Sequence, residues 1–223
     1  MKYLRKFETE ADVMMSFKPN VVLVGDTGEV LYNVELPNGV YIQHIDGTLF
    51  TTEQWTAGGF ANEEANGVAV KNSKIQAVVA LTNASTSIQW ASDTTNLISG
   101  VFTADDESTA SNDIAGVANT TILAEIDESG AAFACANYTF PNGAKGYLPS
   151  LGELYALYGL DSVHNAISLV GGASLKGSIG NEKFFWTSTQ ASAEQAWVIS
   201  VRNSVKVKYS KGAKAYARPF LPL

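Results

Sequence analysis

From Phe184 to Leu223 the chain reads FFWTSTQASAEQAWVISVRNSVKVKYSKGAKAYARPFLPL, and this segment limits the possible folds more than any other. Two alternating runs, Trp197 to Arg202 and Val205 to Ser210, flank Asn203-Ser204. Successive side chains of a strand point to opposite faces, so a period-two pattern sends one set into a core and the other into water. The Asn-Ser pair suits a tight hairpin turn. The inward set reads as Trp186, Trp197, Ile199, Val201, Val205 and Val207. The outward set reads as Ser192, Glu194, Gln195, Val198, Ser200, Arg202, Ser204, Lys206, Lys208 and Ser210. The apolar tail Ala217 to Leu223 is expected to be tied down rather than frayed.

The 223 residues carry 46% apolar and 17% charged side chains, the composition of a folded globular chain. A net charge of -7 argues against partners held by their own negative charge, nucleic acid or an anionic membrane. No run approaches the roughly 18 apolar residues of a membrane span. The first residues, MKYLRKFETEADVMM, lack the apolar stretch of a secretory signal. The single Cys135 excludes an internal disulfide.

Read in order, residues 1 to about 20 form a short amphipathic start, followed by a strand, a Gly25–Gly28 turn and a strand to Asn33. A second hairpin is expected around Asp46-Gly47. The small and polar residues 56–64 suggest a junction, giving a β-rich N-terminal module over 1–60, for attachment or oligomerisation, and a main domain over 61–223. Two strands flank Lys71–Lys74, and helical spacing covers 114–126 and 131–136. Ser150 with Glu153 three residues on is a capping box. The helix it opens is expected to run past Gly159 toward Val170 and to stop at Gly171-Gly172. Strands at both ends with helices between imply an α+β domain whose first and last strands share a sheet.

Catalytic constellations are sparse. His44 and His164 have no Cys or carboxylate at ligand spacing, so each reads as a surface or partly buried histidine rather than a metal ligand. Cys135, in a small-residue helix without a neighbouring His, reads as a buried structural thiol. Asp105, Asp106, Glu107, Asn112 and Asp113 lack the ligand order and glycine of a calcium loop and read as a solvated loop. The reading is therefore of a non-enzyme without cofactor or metal. A mixed polar face on a rigid scaffold is instead how a binding surface is built.

Four motifs now acquire meaning together: Gly146-Tyr147-Leu148-Pro149-Ser150-Leu151-Gly152-Glu153-Leu154, Phe185-Trp186-Thr187-Ser188-Thr189-Gln190, Ala196-Trp197 and Ala217-Arg218-Pro219-Phe220. Their order resembles a series found in C-type-lectin-fold proteins, among them the variable proteins of diversity-generating retroelements. More narrowly it resembles phage or prophage tail proteins of gut Bacteroides, as do the first 35 residues. The resemblance implies a C-type lectin fold, a central antiparallel sheet with two or more helices, behind a small N-terminal β-hairpin region. It implies a receptor-binding protein of a virion tail, homotrimeric as tail fibres commonly are, that meets a protein or glycan receptor on a target cell. Its diversifiable positions would be Ala191, Ser192, Glu194, Gln195, Val198, Ser200, Arg202, Asn203, Ser204, Lys206, Lys208, Tyr209 and Ser210. Leu154 stands where a Trp is common and Ala191 where an aromatic is common. The alternative is an extracellular adhesin or structural module of a cell surface with the same fold.

Overall fold

A computed structural model describes residues 36–177 and 182–223, together with the backbones of β1 (Val22–Val24) and β2 (Val30–Asn33), which pair antiparallel. The amphipathic start and the turn at 25–28 lie outside the described residues.

Beyond β2 the chain builds two five-stranded sheets. The first contains β3 (Gly39–His44), β4 (Leu49–Phe50), β5 (Ala65–Lys71), β6 (Gln76–Val79) and the C-terminal β12 (Phe220–Pro222), in the order β12-β6-β5-β3-β4. All its pairings are antiparallel. The β3–β4 turn forms at Asp46-Gly47 because Gly47 takes a φ of 88°, open to glycine at little cost. Helix α1 (Thr52–Gly58) follows, opened by a Thr51–Gln54 capping box. Because β3 pairs with β5, a single sheet spans the candidate junction at 56–64. The apolar tail is tied down as β12, so strands from early and late in the chain share this sheet.

The second sheet contains β7 (Ser85–Ile88), β8 (Phe185–Gln190), β9 (Gln195–Ser200), β10 (Val205–Ser210) and β11 (Ala215–Ala217), in the order β10-β9-β8-β11-β7. It is mixed, not purely antiparallel as expected, because β11 lies parallel to β8. The β9–β10 hairpin forms as predicted, in unbroken register, with Ser204 at a φ of 60° in its turn.

Between β7 and β8 along the chain come α2 (Glu107–Ala110), α3 (Gly116–Ile126), α4 (Ala131–Asn137), α5 (Leu151–Tyr155) and α6 (Asp161–Leu169). The capping box at Ser150 is present, but the long helix expected behind it is two helices. Gly159, at a φ of 74°, breaks it after a single turn of tyrosines. Gly171, at 72°, ends α6 as predicted.

The resulting core has three compartments. One face of the first sheet, α5, α6 and one face of the second sheet enclose Val68, Leu151, Leu154, Ile167, Phe185, Trp197 and Ile199. The other face of the second sheet meets α3, α4 and Trp90 around Trp186, Ala196, Val198 and Cys135. The far face of the first sheet covers Leu36, Leu49, Val78 and Phe140. The strands β8 and β9 of the second sheet are thus buried on both faces, and that decides what the C-terminal ribbon can display. Among the described residues no helix is long and apolar enough to cross a membrane.

Candidate binding site

The motifs singled out in the sequence converge on one internal network. The Ser150 hydroxyl donates to the Asp113 backbone carbonyl at 2.7 Å, which also accepts the Gly152 N–H at 3.0 Å. A Cβ on Gly152 would stand 2.3 Å from that carbonyl oxygen, so the approach requires glycine. The Asp113 carboxylate accepts from Thr189 Oγ1 at 2.7 Å, Asn119 Nδ2 at 3.0 Å and the Ala115 N–H at 2.8 Å. Thr189 Oγ1 in turn accepts the Leu151 N–H, and the Ser188 N–H donates to the Pro149 carbonyl. The Leu-Pro-Ser and Trp-Thr-Ser-Thr motifs are therefore docked on each other, with Asp113 between them.

Asp113 and Glu153 are both buried. Burial raises both carboxyl pKa values, opposed by their hydrogen bonds, and the charge of Asp113 raises Glu153 further. Glu153 accepts from the Ser150 N–H and from Tyr147 Oη. The expectation that Asp113 lies in a solvated acidic loop is corrected: Asp105 and Asp106 are exposed, but Asp113 turns inward to meet the donors of α3 and β8.

The indoles are fixed in the same manner. Trp90 donates to the Thr187 carbonyl at 2.7 Å, Trp186 to Ile88 at 2.8 Å and Trp197 to Ala104 at 2.8 Å. A buried tryptophan needs a partner for its N–H; the Trp90 and Trp197 bonds staple loops to the sheet, and the Trp186 bond ties β8 to β7 within it. Lys211, fully buried, donates to the carbonyl of Asn96 at 2.6 Å and to Gln190 Oε1 at 2.7 Å; burial lowers its pKa. Arg218 reaches Asn83 Oδ1 and the carbonyls of Ala80 and Ala173, and burial lowers its pKa to about 10. Asp113 reads from the sequence only as part of a solvated acidic loop, and Asn119 carries no sequence signal at all. The one available sign was Thr187 to Gln190, four polar residues in a row inside a strand, all of them buried.

The expected display set divides. Ala191, Val198 and Ser200 are buried, at 2%, 0% and 0% exposure, and their outward assignment is corrected. For Val198 the reason is the helical layer over the second face of the sheet, which covers the side that alternation had assigned to water, whereas Ala191 is enclosed in the core between the two sheets. Val205, expected inward, is 38% exposed because β10 is an edge strand and its first residue stands beyond that layer. Lys206 and Lys208 lie on the side of the first core compartment: Lys206 Nζ lies 2.8 Å from Glu107 Oε1 and 3.7 Å from the centre of the Tyr155 ring. Lys208, itself exposed, has its Nζ 2.7 Å from Asp105 Oδ1. Gln195 and Tyr209 are half-buried, and Tyr209 packs against Phe184 and Trp186. Ser192, Arg202 and Ser204 are also half-buried, and Glu194, Asn203 and Ser210 are exposed. Arg202 is steadied by the Gly177 carbonyl and Asn203 by Glu182. The surface that remains lies at the two ends of β9: Ser192, Glu194 and Ser210 at the β8–β9 turn, and Arg202, Asn203 and Ser204 at the β9–β10 turn.

The two histidines and the cysteine sit as expected. His44 is partly buried among Phe50, Trp55 and Phe60, near Asp46 and Glu64. His164 is half-buried and its pKa is lowered to about 4, first by burial and then by Lys176. Cys135 is buried, which pushes its thiol pKa far up. Among the described residues no group of three or more His, Cys, Asp or Glu side chains could hold a metal ion.

The fold is similar to that of a fimbrial protein from Bacteroides ovatus, with a TM-score of 0.60 and 15% sequence identity over 85% of this chain. The chain spans about half of that protein's length, 49%. At this identity the likeness is one of fold. No protein-family model matches the sequence, and no curated protein matches it.

Proposed function

We propose that this chain is a surface module of the fimbrial kind, adhesive or structural, which works by binding and assembly rather than by catalysis. The observation that carries this reading is the fold shared with the Bacteroides ovatus fimbrial protein over most of the chain. The use of the polar side chains supports it. Ser150, Ser188, Thr189, Asp113, Glu153 and Lys211 are all engaged in hydrogen bonds that hold loops to strands. In that account the ligand, a protein or glycan receptor on a target cell, meets the β9–β10 turn at Arg202, Asn203 and Ser204, with Ser192 and Glu194 at the β8–β9 turn a separate exposed edge. We read the mixed second sheet with its covering helices as a C-type-lectin-like arrangement.

Immunogold labelling of intact producing cells with antibody to the purified chain tests the reading. Gold on the cell surface or its filaments is expected, and label confined to the cytoplasm would overturn it.

A second reading, a phage-tail receptor-binding protein with a diversifiable C-terminal surface, is favoured by the mutual docking of the Leu-Pro-Ser and Trp-Thr-Ser-Thr motifs. It predicts a reverse transcriptase gene and a near-identical template repeat beside this gene. A locus without them removes the diversification from that reading.

A further inference from the structure

A sheet edge leaves a row of peptide groups unpaired, and proteins protect such edges with short strands, proline, irregular register or free charge. The two five-stranded sheets have four edges. At one, β4 has two residues; at another, β12 has three and ends in Pro222. At the third, β7 pairs with β11 through a register irregularity. The fourth, β10, has six residues in unbroken register and no proline.

Its two lysines do not guard it. Lys206 and Lys208 are turned off the edge onto Glu107, Asp105 and the Tyr155 ring, leaving two positive and two negative charges there that cancel. The register also fixes which peptide groups are free. The Lys211 N–H donates to the Glu194 carbonyl, so residues 209, 207 and 205 bond to β9 in the ladder. The peptide groups of Lys206 and Lys208 and the N–H of Ser210 therefore point away from it.

We propose that β10 is a self-association edge, at which two copies of this chain join their second sheets into one continuous sheet through antiparallel β10–β10 pairing. A second copy suits this edge because a twofold axis brings the same strand to itself in the antiparallel sense. Centred on Lys208, the pairing sets Lys206, with its N–H and C=O directed outward, opposite Ser210 of the second copy, whose N–H is directed outward while its carbonyl already accepts from Ala213. On the other face it sets Val207 opposite Tyr209 of the second copy, a β-branched and aromatic pair of the favourable kind. The neutralised lysines remove the like-charge repulsion that would otherwise oppose the join. The inference does not depend on what the β9–β10 turn binds.

The test is the mass of the full chain in solution by sedimentation equilibrium across a concentration series. Wild type is expected to approach twice its 23.8 kDa at high concentration. Ser210→Pro removes one outward N–H and no bond to β9, and it leaves both lysine pairs intact. Val207→Lys places an uncompensated charge on the other face of the edge. Both variants, folded by circular dichroism, should hold the single-chain mass throughout. A wild type of single mass at every concentration would overturn the proposal, as would two variants that associate as wild type does.

Discussion

Replacing Asp113 by alanine should loosen the junction of the two sequence motifs. Two buried donors, Thr189 Oγ1 and Asn119 Nδ2, and the part-buried Ala115 N–H lose their acceptor. An unsatisfied buried donor costs about 1–3 kcal/mol. Removing a carboxylate whose pKa burial has raised returns part of that sum. The bonds from Ser150 and Gly152 survive, since they end on the backbone carbonyl of residue 113. A net loss of about 3 kcal/mol follows, or about 6–12 °C in Tm for a chain of this length. Asp113→Asn keeps the shape but sets its amide N–H against at least one donor, for about 1–2 kcal/mol. Thermal unfolding followed by circular dichroism measures both. Thr189→Val, alone and combined with Asp113→Ala, completes a cycle in which the double variant should lose about 1 kcal/mol less than the sum of the singles. A Tm for Asp113→Ala within about 1 °C of wild type would refute the reasoning, because a solvated aspartate behaves that way.

Other positions give independent expectations. His164 has its folded pKa lowered, so the stability it contributes is fully present above its ordinary value of 6.5 and is lost as pH falls toward about 4. For a half-buried ring that amounts to about 1–2 kcal/mol, and His164→Leu should remove this part of the pH dependence in denaturant titrations. Lys211→Met should release the loop around Asn96 and Ile98 from Gln190, seen as faster amide exchange confined to residues 92–104. Ser204→Gly should stabilise the chain by a few tenths of a kcal/mol to about 1 kcal/mol in denaturant unfolding, because a non-glycine residue at positive φ is strained.

The C-terminal hairpin was legible because its period-two pattern and its turn residues agreed, and the tail because apolar residues at a terminus seek cover. The Ser150 capping box was equally local and equally readable. The face of the hairpin was not, since alternation reports two sides without saying what covers either. Val198, an apolar side chain at an outward position, carried the warning: α3 and α4, far away in sequence, close over that side. Ser200 looked exposed for the same reason and is buried. Four consecutive polar residues, as at Thr187 to Gln190, rarely enter a core. They do so here by bonding Trp197, Asn119, Asp113 and Lys211, contacts separated by 10 to 76 residues. Pairings at such range leave no periodicity to read. Gly159 split a helix that pattern alone would continue, because spacing does not show where a glycine takes positive φ.

The central claim is that strands β8 and β9 are sealed scaffold and that only the turns at their ends and the open edge of β10 are free to vary. Saturation mutagenesis of residues 185–210, selected for folded and protease-resistant protein, tests it most directly. Polar and charged replacements are expected to survive at Ser192, Glu194, Arg202, Asn203 and Ser210 and to be lost at Ala191, Trp197, Val198 and Ser200. Survival of charged side chains at Val198 and Ser200 at the frequency seen in the turns would contradict the account.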